Sequence, residues 1–382
     1  MKDPHLAARG FFEDKDGVKT PSRFVAVREG ERATPRRLAR HGARKGPLSG
    51  VKVLDFAWAL VGSITTKTLG DLGADVIKVE SRNRPCLSRI DVQVSASKPG
   101  NFDDKPWFAH LNTSKRSLSL DLKLPEAREV LNPLIEWADV VVENFSPGTM
   151  AKLGLDYESL AKKNPGVVMI SGSVYGQTGP LAQEWGVDGT GGALSGRTYM
   201  TGWPDRGPVV PGAVPYGDVI VPFAMAASAC ALLAAREKTG RGGHVDASMY
   251  EICVQQMRDA IIAAQKGEEP SRQGNASEDV YRQGVVPAKG GDCWLAYSVP
   301  AKDDMAKLEA VTGGAGIEAW SAQRDAKEAA AALQAAGIPA APVMDMEALF
   351  ADETLAARGA LVDLPHPHLG AFGHVRTPLT FS

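Results

Sequence analysis

The chain has 382 residues, of which 44% are hydrophobic and 23% are charged, and its formal net charge is −2. These values are typical of a globular protein with a sizeable core, and they argue against a disordered chain and a basic nucleic-acid-binding protein. The four cysteines (86, 230, 253 and 293) form no CxxC pair and the seven histidines do not cluster. We therefore expect reduced thiols, no metal site and a cytoplasmic location.

The N-terminal residues lack the basic-then-apolar pattern of a secretory signal. The longest uncharged stretch, Val219 to Ala235, is alanine-rich and contains Pro222. A transmembrane helix needs about 20 strongly apolar residues. This stretch therefore predicts a buried core helix, and no membrane partner is expected.

From residue 51 onwards, short apolar runs alternate with helical patterns. Strands are predicted at 51–56, 75–79, 139–142, 167–171 and 292–300, and helices up to Leu72, at 126–137, 223–235 and 249–264, and through much of 302–336. Strands that alternate with helices indicate βαβ units and a mainly parallel sheet.

Residues 1–47 carry many charges and show no sustained periodicity, which by itself is typical of a solvated arm. However, DPHLAARG at 3–10 is repeated as DETLAARG at 352–359, and TPSRF at 20–24 is similar to TPLTF at 377–381. We therefore interpret the arm as a second copy of the segment that closes the fold.

Several common catalytic motifs are missing. The sequence has no Walker loop, no GxSxG elbow and no HExxH, and GTGGALSG at 189–196 lacks the third glycine of a dinucleotide-binding fingerprint. A nicotinamide-dependent dehydrogenase is therefore not supported.

Eight short phrases follow one another in order. They are LSGVKVLDF (48–56), LGDLGADVIKVE (69–80), NTSKRSLSLDLK (112–123), ADVVVENFSPG (138–148), LGLDYESL (153–160), YGQTGP (175–180), TGWPDRGP (201–208) and REKTGRGGHVDASMYE (236–251). This series resembles the class III CoA-transferase family, typified by formyl-CoA and carnitine CoA-transferases. The resemblance extends from about Leu48 to Ser382.

The resemblance implies an α/β fold, with a Rossmann-like large domain of mainly parallel sheet, a smaller α+β domain and an interlocked dimer. The expected division is an arm at 1–47, a CoA-binding large domain at 48–236, a smaller domain with linkers at 237–345 and a return to the large domain at 346–382. The expected substrates are coenzyme A thioesters and carboxylic acids, with succinyl-CoA as a candidate donor and no metal.

The family's nucleophile is an aspartate in a Gly/Pro-rich phrase, and the matching position here is Asp205 in TGWPDRGP. Attack of this carboxylate on a thioester would give a mixed anhydride and then an aspartyl-CoA thioester. The intermediates need exclusion of water and donors for the oxyanions, for which GTGGALSG is a candidate loop.

The resemblance also implies a CoA site. Its residues are Ala59, Leu60, Val61, Arg82, Leu120, Asp121, Leu122, Lys123, Asn144, Phe145, Ser146, Lys152, Ser173, Val174, Tyr175 and Gly176. The sequence departs from the family pattern after the second strand, where some members have an arginine and this chain has Ser81 followed by Arg82.

Two other functions remain open. An α-methylacyl-CoA racemase has the same fold and needs a histidine and an aspartate as acid and base; Asp218 matches the aspartate, but Val187 occupies the histidine position. A non-catalytic subunit of a heteromer is the second alternative. The duplicated closing segment, and an ending without the family's further helical tail, fit one chain of a two-subunit enzyme such as a benzylsuccinate CoA-transferase.

Overall fold

The computed structural model describes residues 2–33, 46–90, 101–210 and 215–381. The strands are β1 (Phe12–Lys15), β2 (Val18–Pro21), β3 (Ala26–Arg32), β4 (Lys52–Asp55), β5 (Asp75–Glu80), β6 (Lys115–Ser119), β7 (Val140–Glu143), β8 (Val168–Ser173), β9 (Arg241–Ser248), β10 (Arg282–Pro287), β11 (Trp294–Val299), β12 (Ala340–Pro342), β13 (Leu361–His366) and β14 (Gly370–Val375).

The helices are α1 (Pro4–Ala8), α2 (Val61–Asp71), α3 (Leu87–Ile90), α4 (Pro106–Leu111), α5 (Ala127–Trp137), α6 (Thr149–Lys152), α7 (Tyr157–Lys163), α8 (Asp188–Leu194), α9 (Arg197–Met200), α10 (Tyr216–Thr239), α11 (Met249–Gln255), α12 (Arg258–Gln265), α13 (Met305–Thr312), α14 (Ile317–Ser321), α15 (Ala326–Ala335), α16 (Met346–Phe350) and α17 (Glu353–Ala357), with a 3₁₀ helix at Lys302–Asp304.

The chain divides into two units. The first comprises residues 1–198, 210–270 and 362–382, and the second comprises residues 199–209 and 271–361. The boundary predicted after residue 236 differs from this division, because β9 continues the large sheet and keeps the residues up to 270 in the first unit.

A seven-stranded sheet of order β3-β9-β8-β7-β4-β5-β6 forms the centre of the first unit. The six strands from β4 to β9 run parallel, and β3 pairs antiparallel with β9 at one edge. From β4 the chain builds outward to β6 and then returns to the other side of β4 with β7. The strand order therefore reverses between β4 and β7, and in open α/β sheets ligands bind beyond the carboxyl ends of the strands at this point.

The central strands are mainly apolar and do not alternate with polar residues, because both sheet faces are covered. Val53 packs into one core with residues of α2 and α10, whereas the next residue, Leu54, packs into a second core with residues of α5 and α7. A strand buried on both faces loses the alternation of polar and apolar residues. The mixed α/β architecture and mostly parallel sheet predicted from the sequence are confirmed.

By length and composition α10 could cross a membrane, with a mean hydropathy of 1.9 in its most apolar window. However, Val221, Met225 and Leu233 pack into the sheet core, and Arg236 is buried in an ion pair of 2.8 Å with Asp139. One face of α10 therefore packs in the core, although only 33% of its most apolar window is buried, less than a fully buried core helix would show.

The second unit has its own core. Strands β10, β11 and β12 form an antiparallel sheet, and residues of α13, α14 and α15 cover it around Leu295, Trp320 and Leu333.

The N-terminal arm is ordered over residues 2–33, in contrast to the solvated arm that its composition alone predicts. Helix α1 and the β1–β2 hairpin pack on the first unit through Leu6 and Phe11, which are 3% and 0% exposed. Strand β3 then extends the sheet. Long-range packing, which periodicity does not record, gives the arm its structure.

Candidate functional site

A buried ion pair holds the last residue of β4, Asp55, at the start of the turn that follows this strand. Lys115 Nζ lies 3.1 Å from Asp55 Oδ2, and Thr66 donates a hydrogen bond of 2.7 Å to the same oxygen. Burial alone would raise the pKa of Asp55, but Lys115 and Lys78 together with the hydrogen bonds lower it. Burial lowers the pKa of Lys115 to about 8 against the opposing effect of Asp55.

The same turn is tied to the end of β7. Asn144 accepts a hydrogen bond from the Trp58 amide at 2.9 Å and donates one to the Trp58 carbonyl at 3.0 Å. Ala59 adopts a φ of +54°, which is uncommon for a residue with a Cβ and is often found at binding sites. The loops at the reversal point of the sheet are therefore held together as one rigid edge.

A cavity of about 520 Å³ opens at this edge of the first unit. Its wall combines the turns after β4, β7 and β8 with three acidic side chains, and includes 58–61, 144–147, 172–175, Glu184, Asp188 and Asp218. Cavities of this volume accommodate small organic ligands. The cavity lies where the sheet topology predicts a ligand site.

A second cavity, of about 140 Å³, shares Trp58, Arg84, Phe145 and Thr149 with the first. Residues 120–123 form another part of its wall. The Arg84 guanidinium lies 5.1 Å from the Trp58 ring centre and 5.7 Å from that of Phe145. Aromatic faces beside a cation suit a ligand with a planar base and phosphate groups.

Asp188 is the first residue of α8, and its carboxylate is held on both sides. The Gly217 amide donates a hydrogen bond of 2.5 Å to Oδ1, and Arg197 Nη2 lies 3.6 Å from Oδ2. Its side chain is 10% exposed. Asp188 therefore presents an oriented carboxylate with little access to water.

Asp218 lies on α10 and lines the same cavity. Burial, followed by the charge of Asp188, raises its pKa to about 6. The cavity thus contains one oriented carboxylate and a second acid that titrates close to neutral pH.

Most of the predicted CoA-site residues gather around these cavities. Ala59, Leu60, Val61, Asn144, Phe145, Ser146, Ser173, Val174 and Tyr175 line the larger cavity, and Leu120, Asp121, Leu122 and Lys123 line the smaller one.

Three predicted contacts lie elsewhere in the first unit. Arg82 and Lys152 are exposed and are not in the lining of either cavity, and Gly176 packs against the Arg9 guanidinium. Arg84, two residues beyond Arg82, lines both cavities. The departure from the family pattern at Ser81 indicated a shift by one position, to Arg82, whereas the arginine that lines the cavities is Arg84.

Asp205 belongs to the second unit, and its side chain is 68% exposed. It forms an ion pair of 3.1 Å with its neighbour Arg206, whose hydrogen bond lowers the pKa of Asp205. The assignment of Asp205 as the nucleophile stays a prediction. The stretch GTGGALSG at 189–196, predicted as a loop that would donate to the oxyanions, instead lies largely in α8 (Asp188–Leu194).

Sequence reasoning missed the role of Asp188 as a wall residue of the cavity. The available signal was its position directly before the glycine-rich stretch GTGGALSG. Small residues allow close packing, and Gly191 and Gly192 are buried within α8.

Comparison with known proteins identifies the family of this chain. The model of CoA-transferase family III matches residues 48–382. The chain is 31% identical to the succinate–glutarate CoA-transferase of Agrobacterium fabrum, over 89% of this chain and 90% of that one. It is 30% identical to the succinyl-CoA–L-malate CoA-transferase beta subunit of Chloroflexus aurantiacus, over 85% of each chain.

Among solved structures, a CaiB/BaiF family protein from Brucella suis superposes with a TM-score of 0.79 at 30% identity, covering 89% of this chain and 93% of that one. The family match begins at residue 48, so the N-terminal arm lies outside it. This chain belongs to CoA-transferase family III.

Proposed function

We propose that this protein moves CoA from an acyl-CoA donor to a carboxylic acid, with succinyl-CoA as the candidate donor and Asp188 as the carboxylate that carries the intermediates. The observation that carries the proposal is the shared cavity, in which Asp188 lies with most of the residues expected to contact CoA. Relatives named for succinyl-CoA support the donor.

The proposed reaction begins with attack of an Asp188 carboxylate oxygen on the thioester carbonyl. The carbon–sulfur bond breaks, which gives an aspartyl–acyl anhydride and the CoA thiolate. The thiolate then attacks the aspartyl carbonyl, releases the donor acid and leaves an aspartyl-CoA thioester. The acceptor carboxylate reverses these steps and leaves as its CoA thioester.

The local geometry suits this reaction in two ways. The hydrogen bond from Gly217 fixes one oxygen of Asp188 and thereby orients the other. The low exposure of the side chain limits hydrolysis of the anhydride. Asp205, with a 68% exposed side chain, lacks this protection within its own unit.

A CoA-exchange assay between succinyl-CoA and a panel of dicarboxylic acids distinguishes the candidate nucleophiles. It compares wild type with the variants Asp188→Asn, Asp205→Asn and Asp218→Asn. We expect Asp188→Asn to lower the transfer rate by roughly a thousandfold or more, and Asp205→Asn to retain it within about threefold. Hydroxylamine trapping followed by peptide mass mapping should place the acyl adduct on the Asp188 peptide. An adduct on the Asp205 peptide, with the opposite order of activities, would establish Asp205 as the nucleophile.

The racemase alternative is favoured by one observation, which is that Asp188 and Asp218 line the same cavity and the pKa of Asp218 is raised to about 6. Against it, the histidine position is Val187, and a histidine is the side chain whose ordinary pKa suits proton transfer at neutral pH. Incubation of 2-methylacyl-CoA in D₂O separates the two functions. Deuterium at Cα without movement of CoA would support racemisation.

We also propose that this chain forms a dimer interlocked with a second family member and that it is cytoplasmic. Its proposed substrates are limited to CoA thioesters and carboxylic acids. Relatives named as alpha and beta subunits of one CoA-transferase are consistent with a heteromer. If this chain is a non-catalytic subunit, the Asp188→Asn change will leave the rate of the assembled heteromer unchanged.

A further inference from the structure

Residues 3–10 and 352–359, here called the N-terminal copy and the C-terminal copy, share Asp, Leu, Ala, Ala, Arg and Gly at the same six positions. In each copy an aspartate caps a five-residue helix, Asp3 for α1 and Asp352 for α17, by accepting a hydrogen bond of 2.8 Å from a leucine amide. The copies are therefore related in structure as well as in sequence.

The equivalence continues to the end of each helix. Gly10 and Gly359 have φ angles of +58° and +60°. The Phe11 amide bonds to the Leu6 carbonyl at 3.0 Å, and the Ala360 amide bonds to the Leu355 carbonyl at 2.9 Å. A hairpin follows in both cases, β1–β2 and β13–β14. What one copy binds is therefore a guide to what the other can bind.

The N-terminal copy is docked on the first unit at an acceptor site formed by Tyr175, Thr178, Asp246, Tyr250 and Glu251. Leu6 packs with the two tyrosines in a small apolar cluster. His5 adds a hydrogen bond of 2.8 Å to the Tyr175 carbonyl.

Arg9 anchors the N-terminal copy. It donates to both oxygens of Glu251, at 2.7 and 3.0 Å, and to Asp246 at 2.8 Å. The Glu251 side chain is 0% exposed, so both of its oxygens are used by the arm. Arg23, also from the arm, lies 3.6 Å from Glu251 Oε1. The acceptor site of this chain is therefore filled by two arginines of its own arm.

The corresponding residues of the C-terminal copy are open to solvent. Leu355 is half-buried and Arg358 is exposed, whereas Leu6 and Arg9 are buried. An apolar side chain and an arginine in the same local geometry fit another apolar site with a carboxylate pair.

We propose that the C-terminal copy docks, through Leu355 and Arg358, on the acceptor site of a homologous family III chain that lacks an N-terminal copy. The acceptor residues of this chain lie within the family match at 48–382, whereas its N-terminal copy lies outside that match. A family member that has carboxylates at the positions of Asp246 and Glu251 and lacks the arm would present that pair unfilled. A second copy of this chain is the poorer partner because its own arm fills the site.

The test uses the full chain and an opened acceptor. Wild-type protein with a photo-crosslinking residue at position 354 is mixed with a tagged Leu6→Ser/Arg9→Ser variant, and the adducts are mapped by mass spectrometry. We expect crosslinks to 175–181 or 246–251 of the opened variant, at least about tenfold more than to tagged wild type. Arg358→Glu in the crosslinking chain should reduce the yield of these crosslinks about tenfold. Lys327→Glu, a charge reversal at an exposed residue of the same unit, should leave the yield unchanged.

Equal crosslinking to the wild-type acceptor, crosslinks confined to other segments, or indifference to Arg358→Glu would overturn the proposal. If the double variant does not fold, the single variant Arg9→Gln removes the two hydrogen bonds from Arg9 to Glu251, leaves only the 3.6 Å contact with Arg23, and keeps Leu6 in place. A peptide of residues 350–361 should then raise its Tm, because a ligand that binds only the folded state stabilises it. No rise in Tm, or the same rise with the Arg358→Glu peptide, would likewise contradict the proposal.

Discussion

Replacing Asp218 with asparagine should stabilise the protein in a pH-dependent way. Burial and the charge of Asp188 raise the pKa of Asp218 from 3.8 to about 6, so the folded protein binds this proton more tightly than the unfolded chain. The stability that the protonated group contributes is complete below pH ~4 and is lost as the pH rises to about 6. Asparagine resembles the neutral acid and avoids that loss.

The difference of about two pKa units lowers the free energy of unfolding by at most about 3 kcal/mol above pH ~7, and by roughly half of that at pH ~5. For a unit of this size we expect the Tm of Asp218→Asn to exceed that of wild type by about 5 °C at pH ~8 and by about 3 °C at pH ~5.

Thermal unfolding between pH 5 and 8, followed by circular dichroism, measures this difference. Asp205→Asn is the matched control, because Asp205 is exposed and its pKa is lowered by its hydrogen bond with Arg206, so no gain in Tm with pH is expected. In an Asp188→Asn background the gain from Asp218→Asn should shrink. A Tm increment that is the same at every pH would refute the assigned pKa shift.

Three further changes test other parts of the structure. Lys115→Met removes a buried partner of Asp55 and should lower the free energy of unfolding by about 3–5 kcal/mol in urea titrations, with partial recovery in the Asp55→Asn/Lys115→Met double variant; an unchanged midpoint would contradict the pair's role. Gly176→Ala adds a Cβ within 2.4 Å of the Arg9 guanidinium, at a residue whose φ is +84°. We therefore expect a lower Tm and faster proteolysis of the N-terminal arm. An unaltered cleavage rate would count against tight docking of the arm. Arg84→Ala should raise KM for acyl-CoA roughly tenfold with little change in kcat, as measured by initial rates, because the guanidinium is proposed to contact the ligand rather than the reacting atoms; a fall in kcat alone would contradict this role.

The sequence predicted four of the seven strands of the large sheet, β4, β5, β7 and β8, because each contains a short, mainly apolar run. It did not predict β3, β6 and β9, in which charged or polar residues and glycines interrupt the apolar pattern. Val140–Glu143 and Val168–Ser173 are buried on both faces, and the predicted strands at 139–142 and 167–171 differ from them by one or two residues. Local hydrophobicity also predicted the helix of α10, although the structure extends it to Tyr216–Thr239. Elements of this kind depend on short stretches of chain and are therefore visible in one sequence.

The CoA-site residues were predicted by family resemblance, and most of them do meet at the reversal point between β4 and β7. The arm was harder to predict. Its structure depends on Arg9 meeting Glu251 across 242 positions of sequence, and no local pattern records such a contact.

The sequence by itself determined the fold class, the family and most of the loops that line the two cavities, since these follow from local patterning and from the order of short phrases. Only the tertiary structure decided which carboxylates line the cavity and which of the two repeated segments is already bound. Asp188, Asp205 and Asp218 are chemically identical side chains. They differ in burial and in the charges around them, and those properties arise only when distant parts of the chain are packed together.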